Sequence, residues 1–270
     1  MNIIVCVKQV PYPDTPASAY GVDNETKRIT LPEDVPLVLS PFDENAVEAG
    51  LQIKDQVGGT LTVISLATRP SDRVVRDLRQ TLGMGADEAI LLDDPAFTGG
   101  DSWSTAYSLA MAIKKIGEYD LILCGIQAAD WDGGQVALGI SEILEISAAT
   151  SVTKIEPGDR CVRARRILEN GHELLELPVP CVIAITGDEA LMPRIAPLPR
   201  IIKAKKRKIP VWSASDIDAD LSMVGASGAK TWVKELALPE IEGACEFMDA
   251  KDFGLAADTL VKRLKSENII

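Results

Sequence analysis

The chain has few aromatic residues and a single histidine. Aromatic residues make up 4% of its 270 residues, so the core must be built mainly from aliphatic side chains. The one histidine, His172, lies beside a predicted hairpin turn, which excludes metal sites made of several histidines and catalytic triads built on histidine. The five cysteines form no C-x-x-C pair and lie mostly in apolar, strand-like segments, which predicts a reducing compartment without structural disulfides.

The chain also lacks an excess of positive charge and any long apolar run. Its formal net charge is -12, which argues against general affinity for nucleic acids or anionic membrane surfaces, because both require a positive field. The opening run at residues 2–7 is shorter than the ~20 residues of a membrane span and lacks the basic flank and cleavage site of a signal peptide. We therefore expect no membrane span, no nucleic-acid partner and a cytoplasmic location, or the mitochondrial matrix if the chain is eukaryotic.

Up to about residue 150, short apolar runs alternate with helical segments. Strands are predicted at 3–10, 60–67, 88–93 and 120–125, and their near-continuous apolar character is typical of strands covered on both faces. Helices are predicted to begin at Ser40–Pro41, at Ser71, near Asp101 and after Gly133–Gly134. This alternation predicts an α/β fold with a Rossmann-like parallel sheet and helices on both faces. Ligands of such folds bind beyond the carboxyl ends of the strands.

The pattern changes after residue 150. Three antiparallel strands are predicted at 151–155, 160–168 and 173–185, with a hairpin turn at 169–171. The sequence then becomes irregular and rich in proline, and a last amphipathic helix is predicted at 250–265. This tail has too little apolar periodicity for a core of its own. We therefore expect an added antiparallel hairpin and an extended C-terminal arm that wraps a partner or its own domain.

The loop after the fourth predicted strand is the most informative part of the sequence. A buried strand ends at Gly125, a polar loop follows, and a helix begins at the paired glycines Gly133–Gly134. Backbone N–H groups at such a helix start hold phosphates, and Gln127, Asp130 and Gln135 offer partners for ribose hydroxyls or base edges. On chemistry alone, a nucleotide site and a plain β-to-α loop are equally supported. The loop is neither a P-loop nor a G-x-G-x-x-G motif, which disfavours an NAD-dependent dehydrogenase.

Several motifs follow one another in an order that is typical of a single family. The loop at 124–135 carries the pattern Cys-Gly-x-Gln-x-x-Asp-x-Asp-x-x-Gln. A Ser-Pro-Phe-Asp helix start at 40–43 and a Met-Gly-Ala-Asp turn at 84–87 precede it, and the segment Pro193–Pro199 with its basic run follows the hairpin. Over residues 2–210 at least, the chain resembles the beta subunit of electron-transfer flavoproteins.

The resemblance implies a set of cofactors. Members of this family pair with an alpha subunit, which holds most of the redox-active FAD, and the beta subunit binds AMP or, in electron-bifurcating members, a second FAD. Trp131 replaces a glycine of bifurcating members, which favours AMP, whereas Gly99–Ser102 and Trp212–Asp218 resemble bifurcating members. The residues that the resemblance assigns to this pocket are Cys6, Ser40, Pro41, Phe42, Asp43, Thr68, Gly125, Ile126, Gln127, Ala128, Ala129, Asp130, Trp131, Asp132, Gly133, Gly134, Gln135 and Val136.

The resemblance also implies a docking surface for a second partner, a flavin dehydrogenase such as one of acyl-CoA dehydrogenase type. The residues assigned to this contact are Leu198, Pro199, Lys203 and Lys206. The chain would then divide into an adenine-nucleotide-binding domain at 1–190, a partner-recognition loop at 191–210 and, at 211–270, an arm and helix that pack on the alpha subunit.

The function that follows is the carriage of electrons between the dehydrogenase and a downstream acceptor, without turnover by this subunit alone. Two alternatives stay open. One is a bifurcating subunit with a second FAD and NADH oxidation. The other is a free-standing adenine-nucleotide sensor, which would leave the Pro-Leu-Pro segment at 197–199 unexplained.

Overall fold

The computed structural model describes residues 1–67, 71–238, 247–248 and 252–270. Its strands are β1 (Asn2–Val7), β2 (Gln9–Pro11), β3 (Gly21–Asp23), β4 (Arg28–Thr30), β5 (Leu37–Leu39), β6 (Thr60–Leu66), β7 (Glu88–Leu92), β8 (Leu121–Gly125), β9 (Ser147–Pro157), β10 (Cys161–Leu168), β11 (Gly171–Pro178), β12 (Cys181–Ile185) and β13 (Val211–Trp212). Its helices are α1 (Pro41–Val57), α2 (Ser71–Met84), α3 (Ser102–Ile116), α4 (Val136–Leu144), α5 (Leu198–Lys205), α6 (Gly225–Gly228) and α7 (Phe253–Ser266).

A mixed, mostly parallel sheet organises these elements. Within the described part of the chain it has nine strands in the order β11-β10-β9-β12-β8-β1-β6-β7-β13. In this spatial order, all neighbouring strands from β9 through β12, β8, β1, β6 and β7 to β13 are parallel. Strands β10 and β11 extend the β9 edge as an antiparallel hairpin. Helices α1 and α2 cover one face and α3 and α4 the other. The predicted fold class is confirmed.

The two faces of the sheet explain why its strands are apolar at successive positions. In β1, Ile3, Val5 and Val7 point into the core beneath α1 and α2, whereas Ile4 and Cys6 point into the core beneath α3 and α4. Successive side chains of a strand face opposite sides, so a strand covered on both sides needs apolar residues throughout. Each of these two cores is mainly aliphatic, as the scarcity of aromatic residues predicts.

The prediction of one antiparallel strand at 173–185 is wrong. Strand β11 ends at Pro178, and the chain then enters β12, which lies in parallel between β8 and β9 in the centre of the sheet. All five residues of β12 are buried, whereas β11 exposes every other residue or more. The two halves of the predicted strand therefore differ in burial, and Pro180, which has no N–H to donate to a ladder, lies between them.

Three other predictions need correction. The predicted strand at 3–10 is two strands, because the chain leaves the main sheet at Lys8 and β2 pairs with β5. The strand predicted at 151–155 begins earlier, at Ser147. The segment predicted to be irregular contains α5, a helix of eight residues with Pro199 in its first turn, where the missing N–H of proline costs nothing.

The described residues fall into two compact units, Met1–Leu236 and Ala237–Ile270. Residues 211–236 belong to the first unit. There, Asp94 accepts the N–H of Ala214 and Asp101 accepts the N–H groups of Lys230 and Thr231. The packing of 211–270 on an alpha subunit, and the functional division at 190 and 210, remain predictions. None of the described helices is long and apolar enough to cross a bilayer.

Candidate functional site

Asp43 joins three elements at the carboxyl edge of the sheet. Its carboxylate Oδ2 accepts the backbone N–H of Lys8 at 2.8 Å, directly after β1, and its Oδ1 accepts the N–H of Gly125 at 3.0 Å, at the end of β8. Asp43 itself lies in the first turn of α1. One buried side chain therefore brings the start of α1, the end of β1 and the loop after β8 to the same place.

The burial of Asp43 has a consequence for its protonation. Burial raises the pKa of this carboxyl to about 7, although the N–H groups of Lys8 and Gly125 and the charge of Lys8 act in the opposite direction. The unfolded chain releases this proton near pH 3.8 and the folded chain near 7. Stability contributed by the neutral form is therefore lost as pH rises from about 4 to about 7, by an amount on the order of 4 kcal/mol.

We expect Asp43→Asn to remove this pH dependence. The amide stays neutral at every pH, but its NH₂ group faces one of the two N–H donors, so the variant should be less stable than the wild type at pH 5. Urea unfolding of the purified chain at about pH 5, 6, 7 and 8 measures the difference, with the exposed Asp14→Asn as control. A gap between Asp43→Asn and wild type that stays constant with pH would contradict the assignment.

Gly125 is required where the loop begins. A Cβ atom built there would lie 2.8 Å from the Cβ of Phe42 and 2.9 Å from its carbonyl carbon, and closer still to Oδ1 of Asp43. Only a residue without a side chain lets the end of β8 approach the start of α1 this closely. Two hydrogen bonds fix the loop that follows. The N–H of Ile126 donates to the carbonyl of Ile185 at the end of β12, and Gln127 Nε2 donates to Asp132 within the loop.

Lys8 is a functional candidate that the sequence analysis did not assign to the site. Its Nζ lies 2.6 Å from Oδ1 of Asp130, whose side chain is only 11% exposed. Lys8 follows the strand β1 directly, at the edge where parallel strands of this fold present their ligand-binding loops, and that position is the signal that could have identified it. The pair brings a positive charge to the middle of the loop.

Several polar groups of the site have no partner within the part of the chain that the structure describes. The N–H groups of Gly133, Gly134, Gln135 and Val136 donate to no acceptor there, and the side chain of Gln135 does not cap α4. The hydroxyl of Ser40 is also buried without a partner. Unpaired N–H groups at the start of a helix form a site for an anion. The residues present therefore suit a phosphate.

The predicted pocket residues can now be placed. Cys6 and Cys124 are opposite each other in β1 and β8, and a hydrogen bond between them together with burial raises the pKa of the Cys6 thiol well above its usual range. Such thiols act as small apolar residues rather than nucleophiles. Pro41 and residues 131–135 are exposed, Phe42, Val136 and residues 126–130 are half-buried, and Cys6, Ser40, Asp43 and Gly125 are buried. Thr68 lies outside the described residues.

A cavity of about 410 Å³ opens beside the start of α1. It reaches from Tyr12 to Pro41, and its polar wall is formed by Glu44, Arg76 and Asp77. Burial raises the pKa values of both Glu44 and Asp77, although Gln80 and Gln9 respectively donate a hydrogen bond to them. The cavity thus combines an aromatic ring with acids that are easier to protonate than usual.

Three of the predicted partner contacts, Leu198, Pro199 and Lys203, lie on α5, and Lys206 follows it directly. Leu198 is 68% exposed, and Pro199, Lys203 and Lys206 are exposed as well. The other side of this helix packs against α2, where Ile201 lies close to Gly83 and Ala204 is buried. The four predicted contact residues are therefore free of the fold's own core.

The parallel sheet and the open loop at its carboxyl edge define the class of doubly wound α/β proteins, in which ligands bind at that edge. Comparison with known proteins narrows the class. The model of the electron transfer flavoprotein domain matches residues 29–217. The chain belongs to the electron transfer flavoprotein family, among its beta subunits.

Relatives align over their full length and over the whole of this chain. The electron transfer flavoprotein subunit beta of Thermoanaerobacterium thermosaccharolyticum is 39% identical, and that of Clostridium acetobutylicum is 37% identical. Subunit CarD of the caffeyl-CoA reductase-Etf complex of Acetobacterium woodii is 36% identical. The resemblance drawn from the motifs is confirmed.

Proposed function

We propose that this chain is the beta subunit of a heterodimeric electron transfer flavoprotein that binds AMP at the loop after β8. In this role it carries electrons in the cytoplasm between a flavin dehydrogenase of acyl-CoA dehydrogenase type and a downstream acceptor. Flavin, held mainly by the alpha subunit, would supply the redox chemistry. This chain would bind the nucleotide, orient the flavin-bearing subunit and dock the dehydrogenase.

The unpaired N–H groups at the start of α4 carry the nucleotide assignment. The phosphate of AMP would be held by the backbone of Gly133–Val136, whose N–H groups have no partner in the described chain and are available to an anion. The exposed side chain of Gln135 would bind the ribose or the base. The pair of Lys8 and Asp130 would stabilise the loop and reduce the negative charge near the phosphate.

AMP is the proposed ligand because the bulky Trp131, which is 55% exposed, stands in this loop where bifurcating members have a glycine. One observation favours the second candidate, a second FAD with NADH oxidation. A cavity of about 330 Å³ continues from Gln135 past Ser102 and Trp103. This space offers room for the additional groups of a dinucleotide.

The experiment is to co-express the chain with the alpha subunit, purify the heterodimer and identify the nucleotides released by denaturation. We expect one FAD and one AMP for each heterodimer. Two FAD and no AMP would establish the second candidate instead. A stable chain that purifies alone, without flavin and without affinity for the alpha subunit, would overturn both in favour of the free-standing nucleotide sensor.

A further inference from the structure

Arg194 is the most extensively bonded side chain of the segment that precedes α5. Its Nε and Nη2 donate to the two oxygens of Glu48 at 2.8 and 2.9 Å, and its Nη1 donates to Asp55 at 2.8 Å. The backbone N–H of Arg194 donates to Glu48 as well, at 3.1 Å. Both acids belong to α1, whose first turn forms part of the candidate nucleotide site.

Glu48, which pairs with Arg194, would destabilise the fold at this buried position if its charge were unpaired. The side chain of Glu48 is only 6% exposed, and a buried carboxylate is tolerated when it is paired and hydrogen-bonded. A planar guanidinium meets both of its oxygens at once, which a lysine cannot do. A second bond fixes the same region, because Gln52 Nε2 donates to the carbonyl of Ala190 at 2.9 Å. The chain on both sides of Met192 is thus attached to α1.

Next to this attachment, large apolar side chains face the solvent. Ile195 is 94% exposed, Met192 72%, Leu198 68% and Ile202 51%. Apolar side chains that are clustered at an exposed surface mark a site of interaction. The neighbouring Ala196 and Ile201 turn inward against α2. The segment therefore buries some of its apolar side chains in the fold and exposes the others to solvent.

The charge around these residues indicates the kind of partner. The chain as a whole carries a formal net charge of -12, yet residues 190–215 contain seven basic residues and no acidic one. Arg194 is neutralised by α1, whereas Lys203, Lys205, Lys206 and Lys208 are exposed and form no ion pair among the described residues. A surface of this charge suits a partner with acidic residues around an apolar pocket.

We propose that Arg194 is a positioning residue for partner recognition: by fixing residues 192–197 to Glu48 and Asp55, it presents Ile195 as a second apolar anchor beside Leu198 for an acidic flavin dehydrogenase. The inference rests on the proposed function, which supplies the dehydrogenase. The physical reason is preorganisation, because a segment that is already ordered loses less conformational entropy when it docks. Arg194 itself is largely occupied by α1 and acts through the backbone that it holds.

The test measures steady-state reduction of the purified heterodimer by an acyl-CoA dehydrogenase that reduces the wild type, with butyryl-CoA as electron donor. The central variant is the double substitution Glu48→Gln with Arg194→Gln, which removes the clamp without leaving a buried charge unpaired. We expect KM for the heterodimer to rise about tenfold, with kcat within about twofold of wild type. Arg194→Lys should restore part of the affinity, and Ile195→Ala should raise KM about fivefold.

The matched control is Arg163→Ala, which removes another arginine that pairs with a glutamate, on the surface of the hairpin. It should leave KM unchanged. The inference is overturned if the double variant keeps the wild-type KM, if it lowers kcat instead, or if Arg163→Ala raises KM equally. A further variant, Leu198→Asp, separates this outcome from failure of the proposed function. If Leu198→Asp raises KM and the clamp variants do not, only the role of Arg194 is wrong; if none of them raises KM, docking through this surface is wrong too.

Discussion

Gly125→Ala is expected to abolish nucleotide binding and to destabilise the subunit by roughly 3 kcal/mol or more. The added methyl group would overlap Phe42 and Asp43, and overpacking of a filled site costs roughly 1–3 kcal/mol. It would also push away the carboxyl group that accepts the N–H of Gly125, and the loss of a buried hydrogen bond adds to that cost. The heterodimer should purify with FAD but without AMP, and its melting temperature should fall by several degrees.

Gly133→Ala in the same loop is the control for Gly125→Ala. A Cβ at that position would meet only the hydroxyl of Ser102, at 3.3 Å, and this side chain can rotate away. Stability should therefore change by less than about 1 kcal/mol. Thermal unfolding of both variants and the AMP content of Gly125→Ala provide the comparison, so Gly133→Ala serves as the control for stability alone. Full nucleotide content in Gly125→Ala would show that the close approach of β8 and α1 does not support the site.

The substitution Leu198→Asp is expected to reduce affinity for the dehydrogenase at least 30-fold without loss of stability. An anchoring apolar residue at the centre of an interface contributes about 2 kcal/mol or more, which corresponds to roughly 30-fold. The folded subunit does not use this side chain, since it is 68% exposed at the first position of α5. An acid in the first turn of a helix is favourable for the helix dipole, so α5 should remain intact.

The same electron-transfer assay measures KM, and thermal unfolding checks the fold, where a change within about 1–2 °C is expected. Leu221→Asp is the control, because Leu221 is 63% exposed but lies away from the basic segment in the sequence. A normal KM for Leu198→Asp, or an equal loss in Leu221→Asp, would contradict the assignment of Leu198 as the anchor.

The strands were easier to predict from the sequence than their order in space. The apolar runs at 60–67, 88–93 and 120–125 coincide with β6, β7 and β8 to within one residue at each end, because strands buried on both faces need apolar residues throughout. The topology of 173–185 was predicted wrongly. An apolar run does not reveal whether its neighbour is the preceding hairpin strand or, as for β12, a strand 60 residues earlier in the chain.

The candidate site shows the same division. Gly125 and the paired glycines could be proposed from the sequence because each meets a local backbone requirement, and Ser40 because it precedes Pro41 at a helix start, although its hydroxyl caps no N–H group in the structure. The bonds of Asp43 to Lys8 and Gly125, the pair of Lys8 and Asp130, and the clamp of Arg194 on Glu48 could not. Each joins residues that are 35 to 146 positions apart, so no local pattern of residues records them.

The sequence by itself determined the family of this protein, the α/β class of its fold, the aliphatic core and the loop on which a nucleotide assignment rests. These properties follow from composition, from hydrophobic period and from glycines at turns, all of which act over a few residues. Only the tertiary structure decided which strand β12 joins, that the segment at 191–210 contains a helix, and which charges are buried in pairs. Those outcomes depend on burial and on pairing between distant segments, and both arise only when the chain is packed.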